Sequence, residues 1–201
     1  TVTDTGANTV GVTNTVTRDV RDLTITKSVV NAGGLDPLPV FTVDVVCTIG
    51  DEVVRSADNV VISEATAGTV TGVPTGAECT VTEDAVTTPG WTWVVSYAPA
   101  DGTVTVTDTG ANTVGVTNTV TRNSYSVTLA KDWVNGLAGD TAELTIIGGT
   151  SAATATATST ASGKAGTESD TTNVASATVV YDETIDISEV LAGVASYESS
   201  W

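Results

Sequence analysis

One stretch of this sequence occurs twice without a single difference. TVTDTGANTVGVTNTVTR fills residues 1–18 and returns at residues 105–122, an offset of 104 (105 − 1). Chance does not reproduce eighteen residues in a chain of 201, and a repeat constrains the architecture before any local pattern is considered. Either the chain is built from a repeated unit, or one segment is used in two places.

The offset of 104 extends the similarity beyond the identical residues. LTITKSVVN (23–31) falls on VTLAKDWVN (127–135) without a gap, and CTVTEDAVTTPGW (79–91) aligns with IDISEVLAGVASY (185–197). The pairs aligned in this way are Lys27 with Lys131, Glu83 with Glu189, and Trp91 with Tyr197.

The repeat predicts three parts. Residues 1–18 are the closing strands of a preceding or neighbouring repeat, residues 19–122 are a complete repeat, and residues 123–201 are a second repeat that lacks its closing strands.

Alternation of apolar and polar residues predicts β-strands throughout, since a half-buried strand shows one face to the core. The predicted strands of the complete repeat cover 22–30, 40–49, 59–63, 79–83, 91–97, 102–108 and 114–120. Segments rich in Gly, Pro, Asn and Asp separate them, as turns require. Several short strands at this spacing favour an all-β chain of β-sandwiches.

Residues 150–173 are of low complexity, TSAATATATSTASGKAGTESDTTN. One interpretation is a flexible and O-glycosylated stretch. The other, which the alternation in TATATST favours, is two thin strands joined by an ASGKAGTESD turn.

The charge balance excludes one class of partner. Seven basic residues stand against 24 acidic ones, for a formal net charge of −17, and such a surface repels nucleic-acid phosphates. The acidity favours solubility over cation binding, because no DxDxDG-type loop is present. No apolar run is long enough to cross a membrane, and we expect neither a cofactor nor a metal.

The two cysteines predict one disulfide. Cys47 and Cys79 are the only cysteines, and the chain has no histidine, so a structural zinc site is excluded. A disulfide implies an oxidising, extracellular setting. Two buried free thiols are the alternative.

Lys27 and Lys131 lie on the inward phase of the first strand of each repeat, where a lysine needs a partner. Each repeat has a glutamate late in the fold, Glu83 or Glu189, and Asn118 lies on the last strand of the complete repeat. Burial lowers the pKa of a lysine and raises that of a glutamate. A neutral amine held against an amide is a nucleophile, with the acid as proton shuttle.

These residues resemble the Cna-B-type (prealbumin-like) domains of Gram-positive surface adhesins and pilins. LTITKSV, CTVTEDAVTTPGW and VGVTNT match the family's first-strand Lys, its Glu followed by Pro–Gly–aromatic, and its last-strand Asn. The resemblance implies tandem prealbumin/Ig-like β-sandwiches and an isopeptide bond between Lys27 and Asn118, with Glu83 in the catalytic role. A Lys27–Glu83 salt bridge without a covalent bond is the alternative.

The second repeat departs from this pattern, because EVLAGVASY lacks the Pro–Gly and no acceptor asparagine follows it. One explanation is that the sequence is part of a longer array whose flanking residues complete both ends. The other is strand addition, in which residues 1–18 of one molecule complete residues 123–201 of the next. Asn14 would then meet Lys131, with Glu189 as the shuttle.

The predicted function is structural: a module of an extracellular fibre, stalk or pilus-like filament at a bacterial surface, whose partners are copies or repeats of itself. The alternatives are a ligand-binding adhesin domain and a spacer attached to a secreted enzyme. Enzyme activity is not expected beyond single-turnover isopeptide formation, because no His, Cys or paired carboxylates converge.

Overall fold

The computed structural model describes residue 2 and residues 4–193, and Tyr197, the predicted counterpart of Trp91, lies outside them. All regular structure in the described residues is β-strand, in agreement with the all-β prediction. The strands are β1 Val20–Asn31, β2 Phe41–Ile49, β3 Glu52–Ile62, β4 Gly68–Pro74, β5 Glu78–Glu83, β6 Trp91–Ala98, β7 Thr103–Thr105, β8 Thr113–Arg122, β9 Ser124–Val134, β10 Thr141–Gly148, β11 Thr154–Thr160, β12 Thr167–Val180 and β13 Ile185–Ala192.

No helix in the described part of the chain is long and apolar enough to cross a membrane.

The chain packs into two compact units. The first unit comprises Thr1–Val30, Pro37–Val86 and Val94–Thr119, and the second comprises Asn31–Asp36, Thr87–Trp93 and Val120–Trp201.

The first unit is a sandwich of two four-stranded sheets, with strand orders β4-β1-β8-β6 and β3-β2-β5-β7. Burial alternates along β1 and β8, so each strand turns one face to the core. The buried residues of these two strands include Leu23, Ile25 and Lys27 on β1, and Val114, Val116 and Asn118 on β8. The predicted lysine and asparagine therefore lie on core-facing positions of neighbouring strands.

Cys47 and Cys79 form a disulfide. They stand directly opposite each other on the antiparallel strands β2 and β5, and both are fully buried. The bond joins the middle strands of one sheet and ties β5, which ends in Glu83, to β2.

The second unit has the sheets β11-β10-β13 and β12-β9. These orders repeat β3-β2-β5 and β4-β1 of the first unit, so β9 to β13 are the counterparts of β1 to β5. Its core contains Trp133, Leu144 and Ile146, and the Trp133 indole N–H donates to Ser159 Oγ at 2.8 Å. Among the described residues, β6, β7 and β8 have no counterpart in this unit.

Two features of the low-complexity and amino-terminal segments follow from the strand bounds. β11 and β12 lie within or across residues 150–173, which agrees with the strand interpretation of that stretch.

Residues 4–19, by contrast, contain no strand and are exposed throughout. The described residues of the segment 1–18 therefore do not form the predicted closing strands, and the pairing of this segment with another repeat stays a prediction.

Candidate functional site

The first unit contains a buried ion pair in its core. Lys27 follows Leu23 and Ile25 on the inward face of β1, and Glu83 follows Cys79 and Val81 on β5. Lys27 Nζ lies 2.9 Å from Glu83 Oε1, and the two side chains are 0% and 3% exposed. Because β1 and β5 belong to different sheets, the pair joins the two layers of the sandwich from the inside.

The surroundings of Lys27 disfavour its charged form. Burial is the largest influence and lowers the pKa of Lys27, although the neighbouring Glu83 and the more distant Glu64 act in the opposite direction. The ammonium also lies 4.2 Å from the centroid of the Phe41 ring, a cation–π contact that partly replaces lost hydration. The neutral amine of Lys27 is therefore more accessible than that of a surface lysine.

Asn118 is the third predicted residue of this site. It lies on β8, the neighbour of β1 in the sheet, and is 2% exposed. Its side-chain Oδ1 is buried and has no hydrogen-bond partner among the described residues. Leaving a buried amide oxygen unpaired costs about 1–3 kcal/mol of stability. An asparagine at this position therefore indicates a role other than packing.

The glutamate is held in place from both ends of its strand. The Cys47–Cys79 disulfide anchors β5 four residues before Glu83 (83 − 79). At Glu83 itself, the backbone N–H donates to the Tyr97 hydroxyl at 3.0 Å. These contacts limit the freedom of the carboxylate that faces Lys27.

The second unit repeats the ion pair in a more open setting. Lys131 Nζ on β9 lies 2.7 Å from Glu189 Oε1 on β13, and the side chains are 20% and 11% exposed. The Trp133 ring takes the place of Phe41, with its centroid 4.8 Å from Lys131 Nζ. Glu189 stands opposite Leu144 on β10, just as Glu83 stands opposite Val43 on β2.

Asn14 is not brought to either pair. It is exposed and lies outside any strand, although its duplicate, Asn118, is buried on β8. The second unit thus has the lysine and the glutamate but, among the described residues, no counterpart of the strand that carries the asparagine.

The aromatic residues at the two lysines were missed by the sequence analysis, and so was the Tyr97 hydroxyl. The alternating pattern of the sequence did contain a signal for the rings of Phe41 and Trp133. Phe41 begins the inward phase that continues through Val43 and Val45 on β2, and Trp133 lies two residues after Lys131 on the same face of β9.

Residues 23–121 match the model of a family described as a domain of unknown function (DUF5979). A search of curated proteins found no match to the chain.

Two solved structures are similar. The full-length major pilin RrgB from Streptococcus pneumoniae is 21% identical, with a TM-score of 0.31, over 62% of this chain and 21% of the pilin. A structure of the pilus backbone (RrgB) from the same organism is also 21% identical, with a TM-score of 0.31, over 67% of this chain and 31% of that one. The chain thus spans less than a third of either.

Proposed function

We propose that the chain is a structural module of an extracellular bacterial surface fibre, stalk or pilus-like filament. Its first unit is stabilised by the Cys47–Cys79 disulfide and by an intramolecular isopeptide bond between Lys27 and Asn118. Its partners are neighbouring copies or repeats of itself, joined head to tail by strand addition. The resemblance of the Lys, Glu and Asn motifs to Cna-B-type domains supports this assignment.

The observation that carries the proposal is the ion pair between Lys27 and Glu83 inside an apolar core. A salt bridge in such a place contributes little net stability, because the desolvation of both charges offsets their attraction. The unpaired amide oxygen of Asn118 on the neighbouring strand adds a second cost. The reaction removes both charges from the core, and with them the first of these costs.

The reaction is a transfer of one acyl group and leaves no charge behind. Glu83 takes a proton from Lys27, and the neutral Nζ attacks Asn118 Cγ. The Cγ–Nδ2 bond breaks as Glu83 returns that proton to Nδ2, and ammonia leaves. The second Nζ proton passes to Glu83, which is left as a neutral acid. The product is a neutral amide in an apolar core, formed once per molecule, so the chain does not turn over as an enzyme does.

The bond ties the first and last strands of the unit together. It closes a loop of 91 residues (118 − 27), for which chain entropy gives about 4–5 kcal/mol of stabilisation. Together with a second covalent link, this suits a module that transmits force along a fibre.

The intact mass of the reduced, denatured chain tests the bond. We expect the wild type to be lighter than its sequence by one ammonia at the linkage between the Lys27 and Asn118 peptides. Glu83→Gln keeps the shape but cannot shuttle a proton, so it should lack this linkage. Glu78→Gln is the matched control, because it makes the same change at an exposed position of the same strand, and it should retain the bond.

A wild type with unlinked Lys27 and Asn118 peptides would contradict the proposed bond and leave Lys27 and Glu83 as a salt bridge. A linkage that persists in Glu83→Gln would remove Glu83 from the reaction.

A further inference from the structure

The amino-terminal segment presents an apolar face that is not covered within the described chain. Three of its valines are 87%, 82% and 88% exposed: Val10, Val12 and Val16. In the identical second copy, their duplicates are 0%, 1% and 0% exposed: Val114, Val116 and Val120. The segment therefore has the side chains of a closing strand but, in its described residues, is not packed as one.

The second unit has a surface of that kind. In the first unit β1 lies between β4 and β8, whereas in the described part of the second unit β9 is paired with β12 alone. Beneath this edge, Val127 and Leu129 are only half-buried, although their counterparts Leu23 and Ile25 are fully buried.

The opposite sheet shows the same opening. Ile187 on β13 is 48% exposed, whereas Val81, its counterpart on β5, is 2% exposed. An uncovered strand edge beside an incompletely covered core is a site for an added strand.

We propose that residues 9–18 of one copy add as a strand to the edge of β9 in the next copy, in the register that β8 has beside β1. The proposal rests on the proposed function, because it transfers the chemistry of Lys27, Glu83 and Asn118 to a second site. The occupant is this segment because its sequence is identical to that of the strand in the equivalent place of the first unit.

The register decides which side chains meet. Val10, Val12, Asn14 and Val16 alternate along one face, as Val114, Val116, Asn118 and Val120 do on β8. The valines cover the open core of the second unit, and Asn14 comes to Lys131 and Glu189. The ion pair at this site is already formed, at 2.7 Å, before the asparagine arrives.

The meeting of these three groups joins two molecules covalently. Glu189 takes a proton from Lys131, and Nζ forms a bond to Asn14 Cγ. The Cγ–Nδ2 bond breaks, that proton passes from Glu189 to Nδ2, and ammonia leaves. The second Nζ proton stays on Glu189 as a neutral acid, so no further reactant is needed. Because the donor segment belongs to the first unit and the acceptor edge to the second, the contact is head to tail, and such contacts generate filaments unless they close into a ring.

Denaturing gel electrophoresis of the 201-residue chain, concentrated, boiled and reduced, tests the bond. Sedimentation of the same samples under native conditions tests the docking. We expect a ladder of multiples in the wild type, with a peptide in which Asn14 is joined to Lys131. Asn14→Ala should abolish the ladder and leave assemblies that sediment together but separate in denaturant.

Two variants of equal charge test the register. Val12→Glu places a carboxylate at the position whose duplicate, Val116, is buried, and should abolish both the ladder and the assembly. Thr17→Glu is its matched control, because the duplicate, Thr121, is exposed, and it should change neither.

Monomer alone in both measurements would overturn the proposal. Assemblies that survive Val12→Glu would overturn the register, and Asn14 joined to Lys131 within one chain would overturn the head-to-tail arrangement. The Lys27–Asn118 linkage is scored on a different peptide, so either bond can fail while the other is found.

Discussion

Residues 1–18 and 105–122 share every letter of their sequence and differ in structure. The second copy supplies the last residue of β7 and the whole of β8, and its valines and Asn118 are buried in a sandwich. In its described residues, the first copy forms no strand and is exposed throughout. A strand needs both a neighbour for its backbone hydrogen bonds and a core for one face, and only the second copy has them in this chain.

The two units repeat the comparison on a larger scale. Each has a lysine and a glutamate in contact, on corresponding strands. The first unit has a closing strand over that pair, whereas no such strand covers the pair in the described part of the second. The two units therefore share the lysine–glutamate pair and differ in the strand that covers it.

The largest expected difference is between two variants that carry the same substitution at duplicate positions, one in each copy of the eighteen-residue segment. Val116→Asp puts an unpaired carboxylate into the core of the first unit and should destabilise it by at least about 3 kcal/mol. Val12→Asp changes the duplicate residue, which is exposed, and should alter the stability of the dilute monomer by less than about 0.5 kcal/mol. Calorimetric melting at low concentration measures both, and equal losses would show that the first copy is packed as well.

A second test asks whether the disulfide, rather than packing, holds the closing strand in place. Replacing Cys47 and Cys79 by serine opens a loop that spans 32 residues, and the first unit should lose about 3–4 kcal/mol. Amide hydrogen exchange should nevertheless remain slow along Thr113–Arg122, because that strand is held by its pairing and its buried valines.

The second unit, which has no cysteine, should melt unchanged in the same variant. Exchange in β8 as fast as in residues 9–18 would instead mean that the disulfide maintains the difference between the two copies.

The smallest expected effect concerns the charge of Lys27 when it is not cross-linked. In Asn118→Ala the lysine keeps Glu83 but has no amide to attack, and burial still lowers its pKa in the folded state. Between that lowered pKa and the ordinary value of 10.5, the unfolded chain binds more protons than the folded one. Stability should therefore rise with pH in this window, by at most about 1.4 kcal/mol per pH unit.

Urea unfolding of Asn118→Ala across alkaline pH measures the slope. The double variant Lys27→Met, Asn118→Ala is the reference, because it retains every other titratable group. Identical slopes in the two proteins would assign the lysine an ordinary pKa in the folded state.

The sequence predicted the strands in which apolar and polar residues alternate cleanly, and it missed or shortened those in which they do not. β1, β2, β5, β6 and β8 alternate cleanly and were predicted within a few residues. β4 was missed because Gly68, Gly72 and Pro74 in GTVTGVP are typical of a turn. It forms since β1 offers its backbone a partner, with Leu23 opposite Val70.

β3 was predicted too short because its first part, EVVRSAD, contains the charged residues Glu52, Arg55 and Asp58 and does not alternate cleanly. It is an edge strand of its sheet, and an edge strand with one solvated face tolerates such residues.

The sequence by itself determined the repeat, the strand-forming alternation, the lysine and glutamate positions that correspond between the units, and the cysteine pair. These depend on residue type and spacing, which are local and periodic. Only the tertiary structure decided that Lys27 and Glu83 meet across the two layers, that Phe41 and Trp133 lie against the lysines, and that one copy of an eighteen-residue segment is a strand while the other is not. Identical residues took different structures because burial and strand pairing are supplied by the rest of the fold, and the segment's own sequence contains neither.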